Sequence, residues 1–345
     1  MNPRRILHAD LDQFLAAAEI LRHPELAGRP VVVGGDGGPD ARSVVATASY
    51  EARAHGVRSG MPMTRARGRL DGTGAVFLPS DKPYYQQISD DVMVRLKALG
   101  APVEVIGWDE AFLSTDDDPR VLAGRVQATV AATGLSCAVG IGDTTLRAKT
   151  ATGYAKPGGV FELTAANWFA TLGDEPPGAL PGIGRATSRA LAELGITTVT
   201  QLAEARPGVV AERLGPQRGP YYVSLGRGTG RTELDTAPWV PRSRSREETF
   251  PADVEDRAEL HARLRELASR VADDVVADGR DCVRVGIRVR TRSFRTTTRS
   301  RALVPPGRDG GAIAAVAAEL LDELAPDRPV RLLGVRAELT VPATG

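Results

Sequence analysis

Three features of the chain predict an α+β protein built from more than one domain. Short apolar strands interleave with helices over roughly the first 165 residues. From 166 to 230 the strands give way to short helices separated by Gly/Pro turns, and after a polar, Pro-containing stretch the order becomes β-α-β-β-α-β. A length of 345 residues suits two to four domains.

Taken in order, residues 4–11 read as a strand and 13–22 as a helix with Asp12 as its N-cap. "RPVVVGG" is a strand entering a Gly-rich turn, and "SVVATASYEARAHG" a short strand leading into a helix that Gly56 ends. "GAVFLPS" is a strand and 82–99 a helix. "VEVIGWDEAFLS" and "LSCAVGIG" are strands with a helix at about 119–133 between them. "TELDTAPWVPRSRS" has no periodicity and reads as a linker. Beyond it, 243–250, 254–277, 281–291, 294–303, 311–325 and 330–341 supply the β-α-β-β-α-β order of a sheet backed by two helices.

Apolar content of 42% with 25% charge is that of a globular protein with real cores. No run approaches the ~18 uninterrupted apolar residues of a membrane span, so no membrane partner is expected. The amino terminus lacks the apolar core of a signal peptide. Cys137 and Cys282, far apart in strands, point to a reducing compartment, and the cytoplasm is the expected location. Net charge is only +1, but eight arginines (280, 284, 288, 290, 292, 295, 299, 301) stand against Asp281 alone between 280 and 301. An acidic centre with a basic wall is a reasonable shape for metal chemistry on a polyanion.

Asp10 ends an apolar strand, and "WDEAF" puts Asp109 and Glu110 in another. Adjacent strand residues point to opposite faces, so Glu110 joins Asp109 at one ion only if the chain turns there, as "IGW" allows. Three converging carboxylates would bind hard divalent cations such as Mg²⁺. The same residues could equally cap turns, and spacing alone does not choose. In "TASYEARAHGVRSGMP", Tyr50 and Arg53 share a helix face behind Thr47, offering a hydroxyl and a planar fork to phosphate, while "YAKPGG" fixes the charge of Lys156 at a turn. Each of these could also be a solvated surface group.

"LPGIGRATSRALAELGI", 180–196, has the helix-hairpin-helix pattern, in which backbone N–H groups around Gly182 and Gly184 meet a DNA phosphate without reading sequence. An ordinary αα-hairpin is the alternative. In "RVGIRVRTRSF" alternation sets Arg284, Arg288, Arg290 and Arg292 on one sheet face, which suits contact with backbone phosphates.

Together, "HADLDQFLAAAE", "VVATASYEARAHGVRSGMP", "VIGWDEAFL", "CAVGIGDTTLRAKTATGYAKPGG", "LPGIG" and "SRSREETF" resemble a Y-family, translesion DNA polymerase of the DinB or polymerase IV branch, over essentially the whole chain. The resemblance implies a right-hand polymerase: palm at 1–12 and 81–165, fingers at 13–80, a thumb with helix-hairpin-helix at 166–231, a linker at 232–242 and a little finger at 243–342. It implies Asp10, Asp109 and Glu110, with the backbone carbonyl of Leu11, as ligands of two Mg²⁺ ions for which Mn²⁺ could substitute. Thr47, Tyr50, Arg53, Lys156 and Phe14 match nucleotide contacts, and Arg242 and Arg244 join the DNA-contacting set. Primer-template DNA and dNTP are the implied partners of a low-fidelity, distributive, monomeric enzyme.

Three departures stand out. The family often has Asn-Lys where this chain reads "DTTLRAK", which leaves phosphate contacts at Thr144 and Thr145 unsupported while Lys149 is kept. No clamp-binding peptide follows "RAELTVPATG", so a sliding-clamp contact is not expected. Leu15 stands where the family usually places a Phe or Tyr steric gate against the 2′-OH, so rNTP is an expected substrate as well. Two other readings compete. One is a palm-type nucleotidyl cyclase, weakened because "GGDGG" at 34–38 lacks an acidic neighbour; the other is a DNA-binding accessory protein without catalysis.

Overall fold

The computed structural model describes residues 4–38 and 42–341 and separates into two compact units. The first comprises Met1–Gly37, Val45–Met61 and Gly68–Pro238; the second Gly38–Val44, Pro62–Arg67 and Trp239–Gly345.

The chain opens with β1 (Arg5–Leu11), α1 (Phe14–Arg22), β2 (Val31–Val33), β3 (Thr47–Ala48), α2 (Tyr50–Ala54), α3 (Met63–Leu70), β4 (Val76–Leu78) and α4 (Lys82–Lys97). It continues with β5 (Val103–Val105), β6 (Glu110–Thr115), α5 (Pro119–Ala131), β7 (Cys137–Gly142), α6 (Thr145–Ala155) and β8 (Val160–Leu163). A five-stranded sheet in the order β5-β6-β1-β7-β8 is the frame of the first unit, and β3-β2-β4 form a smaller sheet.

Alternation along β1 divides its side chains between two faces. Leu7, Ala9 and Leu11 join a core with Tyr85, Val92 and Leu96 of α4 and Leu122, Val126 and Val130 of α5. Ile6, His8 and Asp10 take the opposite face, where Ile6 packs with Phe112 and Ala148 of α6. Helix α6 lies very close to that face because β7 presents glycine to it. A Cβ on Gly140 would sit 2.1 Å from the Ala148 carbonyl oxygen and 2.4 Å from the Thr152 amide nitrogen. Gly140→Ala is therefore expected to push α6 off the sheet and cost roughly 1–3 kcal/mol, read as a lower urea midpoint at unchanged slope.

"VEVIGWDEAFLS" is two strands, not one. Residues 106–109 form a tight turn in which the amides of Ile106 and Gly107 donate to the Glu110 carbonyl at 3.1 and 3.2 Å. Glu110 thus begins β6 and Asp109 sits just off its end.

The helical stretch contains α7 (Trp168–Leu172), α8 (Arg185–Glu193), α9 (Val199–Glu204), α10 (Pro207–Leu214) and α11 (Arg218–Gly226) around Trp168, Leu202 and Val223. The element before the 182–184 hairpin is a single 3-10 turn, Pro177–Ala179, rather than a helix. Part of the expected linker is anchored. The Thr145 amide donates to the Arg231 carbonyl at 2.9 Å, and Glu104 accepts from the Arg231 guanidinium at 2.7 Å and the Asp235 amide at 3.0 Å. Leu234 packs beside Ile6 and Phe112.

The second unit carries β9 (Ser243–Val254), α12 (Arg257–Asp278), β10 (Cys282–Thr291), β11 (Thr296–Gly307), α13 (Gly310–Leu324) and β12 (Val330–Leu339). They form an antiparallel sheet, β11-β10-β12-β9, backed by the two helices over Val285, Ile287, Leu333 and Val335. The expected β-α-β-β-α-β order holds, and Gly279 at φ 82° stops α12 as a left-handed cap.

Candidate active site

The cross-strand register places Asp10 directly opposite Glu110, and the Leu11 amide donates to the Asp109 carbonyl at 2.8 Å. Two neighbouring strand ends therefore bring Asp10, Asp109 and Glu110 to one edge of the sheet. Beneath them, α6 presents Lys149, Thr152 and, at its C-cap, Lys156, spaced i, i+3, i+7 on one face. Lys156 Nζ lies 2.5 Å from Asp10 Oδ1, and the Lys149 ammonium pairs with Glu110.

His8, only 1% exposed, completes this layer, with Nε2 3.1 Å from Glu110 Oε2 and Nδ1 2.9 Å from Thr152 Oγ1. A carboxylate only accepts, so Nε2 carries the proton toward Glu110, while Nδ1 faces a threonine hydroxyl that also reaches the His8 and Ala148 carbonyls at 3.1 Å. Burial lowers the His8 pKa and favours this neutral form. The His8 hydrogen bond, then Lys149, hold Glu110 at about 2 against the effect of burial. Burial, then the charges of Asp10 and Glu110, push the Asp109 carboxyl above its ordinary range.

This donor set fits hard divalent cations. Ligand atoms of His8, Asp10 and Glu110 lie within 4.8 Å of one another, but His8 faces Glu110 through Nε2 and Thr152 through Nδ1, which leaves the carboxylates as the candidate oxygen ligands. Their mutual repulsion, visible at Asp109, is what a cation relieves. His8 and Thr152 were not among the residues singled out in the sequence. Their signal was the polar i, i+3, i+7 stripe of "LRAKTATGYAK" facing the even positions of "ILHADL", readable only once helix and strand are paired.

Several expectations need correction. Asp12 does not cap α1: Gln13 holds the N-cap position at φ 45° without a side-chain bond. Asp12 is instead buried and accepts from the Tyr50 hydroxyl at 2.7 Å, Ser136 Oγ at 2.9 Å and the Gly158 amide at 2.9 Å. The one proton of the Tyr50 hydroxyl is thus given to Asp12, and a phosphate oxygen has none to offer in return. Phe14 lies 2% exposed within the core, with almost no surface left to meet a nucleotide. Leu15, the second residue of α1, is half-buried. Arg53 donates from Nε to the Ala48 carbonyl at 2.9 Å and follows Tyr50 by one turn of α2; Thr47 begins β3, the antiparallel partner of β2. Thr144 caps α6 and donates to the Gly228 carbonyl at 3.3 Å, so its hydroxyl holds local structure.

At the hairpin, Gly182 has φ 92°, which favours glycine, and Gly184 is the N-cap of α8. On the bare face of the second unit's sheet, Arg284, Arg288 and Arg290 do align, whereas Arg292 falls in the turn after β10. Each of two arginines meets a glycine across the ladder, Arg288 with Gly334 and Arg336 with Gly286. The glycines open a trough of about 460 Å³ that Ser245, Thr298 and Ser300 help to line. The face is less one-signed than expected, because Glu247 accepts from Arg288 at 3.0 Å and Glu338 lies 3.7 Å from Arg284. Arg244 is on the opposite, helix-backed side, paired with Asp278 at 2.6 Å. Arg242 precedes β9, its carbonyl accepting from the Leu339 amide at 2.9 Å.

The impB/mucB/samB family model matches residues 9–153, and the model of that family's C-terminal domain matches residues 241–344. DNA polymerase IV 2 of Mycobacterium tuberculosis is 50% identical over 343 residues, covering 98% of each chain. DNA polymerase IV of Methanoculleus marisnigri is 39% identical, covering 97% of this chain and 94% of that protein. Among solved structures, a Y-family DNA polymerase chimera superimposes with a TM-score of 0.83 at 24% identity, over 97% of this chain and 98% of that one. An insertion ternary complex of Dbh DNA polymerase gives 0.63 at 23% identity, over 98% and 99%. The fold is shared with both.

Proposed function

Since this chain belongs to the impB/mucB/samB family of Y-family DNA polymerases and is a DNA-directed DNA polymerase of the polymerase IV group, we propose that it extends primers by two-metal-ion chemistry and accepts ribonucleotides. The convergence of Asp10, Asp109 and Glu110 at one strand edge carries the first half of this reading. These carboxylates and the backbone carbonyl of Leu11 would hold two Mg²⁺ ions, or Mn²⁺ in their place. Bound there, such ions would supply activation of the primer 3′ hydroxyl and charge stabilisation for the leaving pyrophosphate. His8 and Lys149 fix the orientation of Glu110, so that its free oxygen is presented rather than searched for. Arg53, Thr47 and Lys156 meet the triphosphate of the incoming nucleotide.

Primer-template DNA is gripped through its phosphates by the 182–184 hairpin and by the arginines of the bare sheet face, in a distributive, uncorrected mode of synthesis. Binding that rests on phosphates is expected to weaken about tenfold or more between roughly 50 and 200 mM salt, measured by fluorescence anisotropy of labelled primer-template. Affinity independent of salt over that range would remove this mode of binding. Single-nucleotide primer extension with each dNTP and rNTP, in Mg²⁺ and in Mn²⁺, tests the whole reading. Extension without added metal, or refusal of every rNTP, would overturn the corresponding half.

A further inference from the structure

We propose that Asp12 is a positioning residue: one buried carboxylate clasps the segment carrying Arg53 to the turn carrying Lys156, and so sets the separation of the two cations that meet the triphosphate. The inference rests on the triphosphate reading of Arg53 and Lys156 given above.

Asp12 is 2% exposed, and no ion pair neutralises it among the described residues. A buried carboxylate without a cation is costly unless its lone pairs are filled by donors, and here three donors from three separate segments fill them. Tyr50, at the start of α2, gives its hydroxyl proton to Oδ1 at 2.7 Å. Ser136, just before β7, and the backbone amide of Gly158, two residues beyond Lys156, both reach Oδ2 at 2.9 Å. The neighbouring residue tightens the same grip, since Gln13 Oε1 accepts from the Tyr50 amide at 2.6 Å.

Arg53 stands one turn along α2 from Tyr50, with its guanidinium carbon 5.1 Å from the Tyr50 ring. Lys156 is the C-cap of α6, and the chain turns directly into Gly158. Movement of either end therefore changes how far apart the two cations lie. Bonds to an ionised acceptor are stronger than neutral ones, so the clasp resists that movement. It also explains why a tyrosine hydroxyl beside a phosphate-binding arginine points away from solvent.

The test uses the full chain in steady-state single-nucleotide insertion. Asp12→Asn keeps the shape but turns an N–H₂ toward at least one of the three donors. Tyr50→Phe removes only the bond from α2. Each is expected to raise the KM for dNTP about tenfold with kcat changed less than about twofold, and the double variant is expected to be no worse than Asp12→Asn alone. Amide exchange over α2 and over residues 156–159 should accelerate together in Asp12→Asn.

An unchanged KM in Asp12→Asn, or single effects that multiply in the double variant, would overturn the proposal. Should Asp12→Asn fail to fold, Tyr50→Phe and Ser136→Ala each remove one bond from an intact carboxylate; a raised KM in both supports the clasp and an unchanged KM in both overturns it. Arg53→Ala and Lys156→Ala tell the two failures apart. If these leave KM unchanged, the triphosphate reading falls and this inference with it. If they raise KM while Asp12→Asn does not, only the clasp falls.

Discussion

Asp109→Ala is expected to reduce nucleotide addition by at least about a thousandfold while leaving primer-template affinity within about threefold. A missing ligand costs the transition state several kcal/mol of charge stabilisation, and each ~1.4 kcal/mol is a factor of ten in rate. The DNA contacts proposed above, the 182–184 hairpin and the arginines of the second unit's sheet, do not include Asp109. Unfolding is not the expected cause of the loss. The Asp109 carboxyl is pushed upward by burial and by the charges of Asp10 and Glu110, so its ionised form opposes folding and its removal should leave the melting temperature equal or higher. The measurement is single-turnover extension together with a thermal melt. Activity above a few per cent of wild type would remove Asp109 from the metal site, and a melt lowered by several degrees would make the loss one of structure.

Leu15→Phe is expected to lower the ratio of rNTP to dNTP incorporation by about tenfold or more while sparing dNTP addition. Leu15 is the second residue of α1, half-buried and packed against the edge of the core that encloses Phe14, so part of its side chain stays accessible. In the proposed gate role, a planar ring at position 15 would meet a 2′-OH, whereas leucine branches at Cγ and would leave that space. Relief of ~1.4 kcal/mol of clash is a tenfold gain for the ribonucleotide. Side-by-side insertion kinetics with dNTP and rNTP decide it. A wild-type enzyme that already rejects rNTP by about a thousandfold, or a Leu15→Phe variant with an unchanged ratio, would show that Leu15 only packs.

The carboxylate pair, the hairpin glycines and the β-α-β-β-α-β order were legible in the sequence because each depends on residues near one another in the chain. Period-two alternation put Arg284, Arg288 and Arg290 on one face, and the structure keeps them there. The apolar run of "RILHADL" likewise identified a strand, and the structure sets it at the centre of the five-stranded sheet. Where reading along the chain went astray, the deciding partner was distant. Asp12 before a helix looks like a cap, yet its acceptors are filled from 38, 124 and 146 residues away. Arg244 looks like one more member of a basic stripe, yet strand alternation and Asp278, 34 residues on, turn it to the helices. His8 did not stand out in the sequence; it joins the site only because α6 lies against β1, and that approach depends on Gly140 having no side chain. Local sequence determines which elements form and which faces they own, because φ/ψ preferences and periodicity act over a few residues. Which buried acid receives which donor is decided only when those faces meet, since a hydrogen bond a few tenths of an ångström too long, or a single Cβ in the way, chooses a different partner.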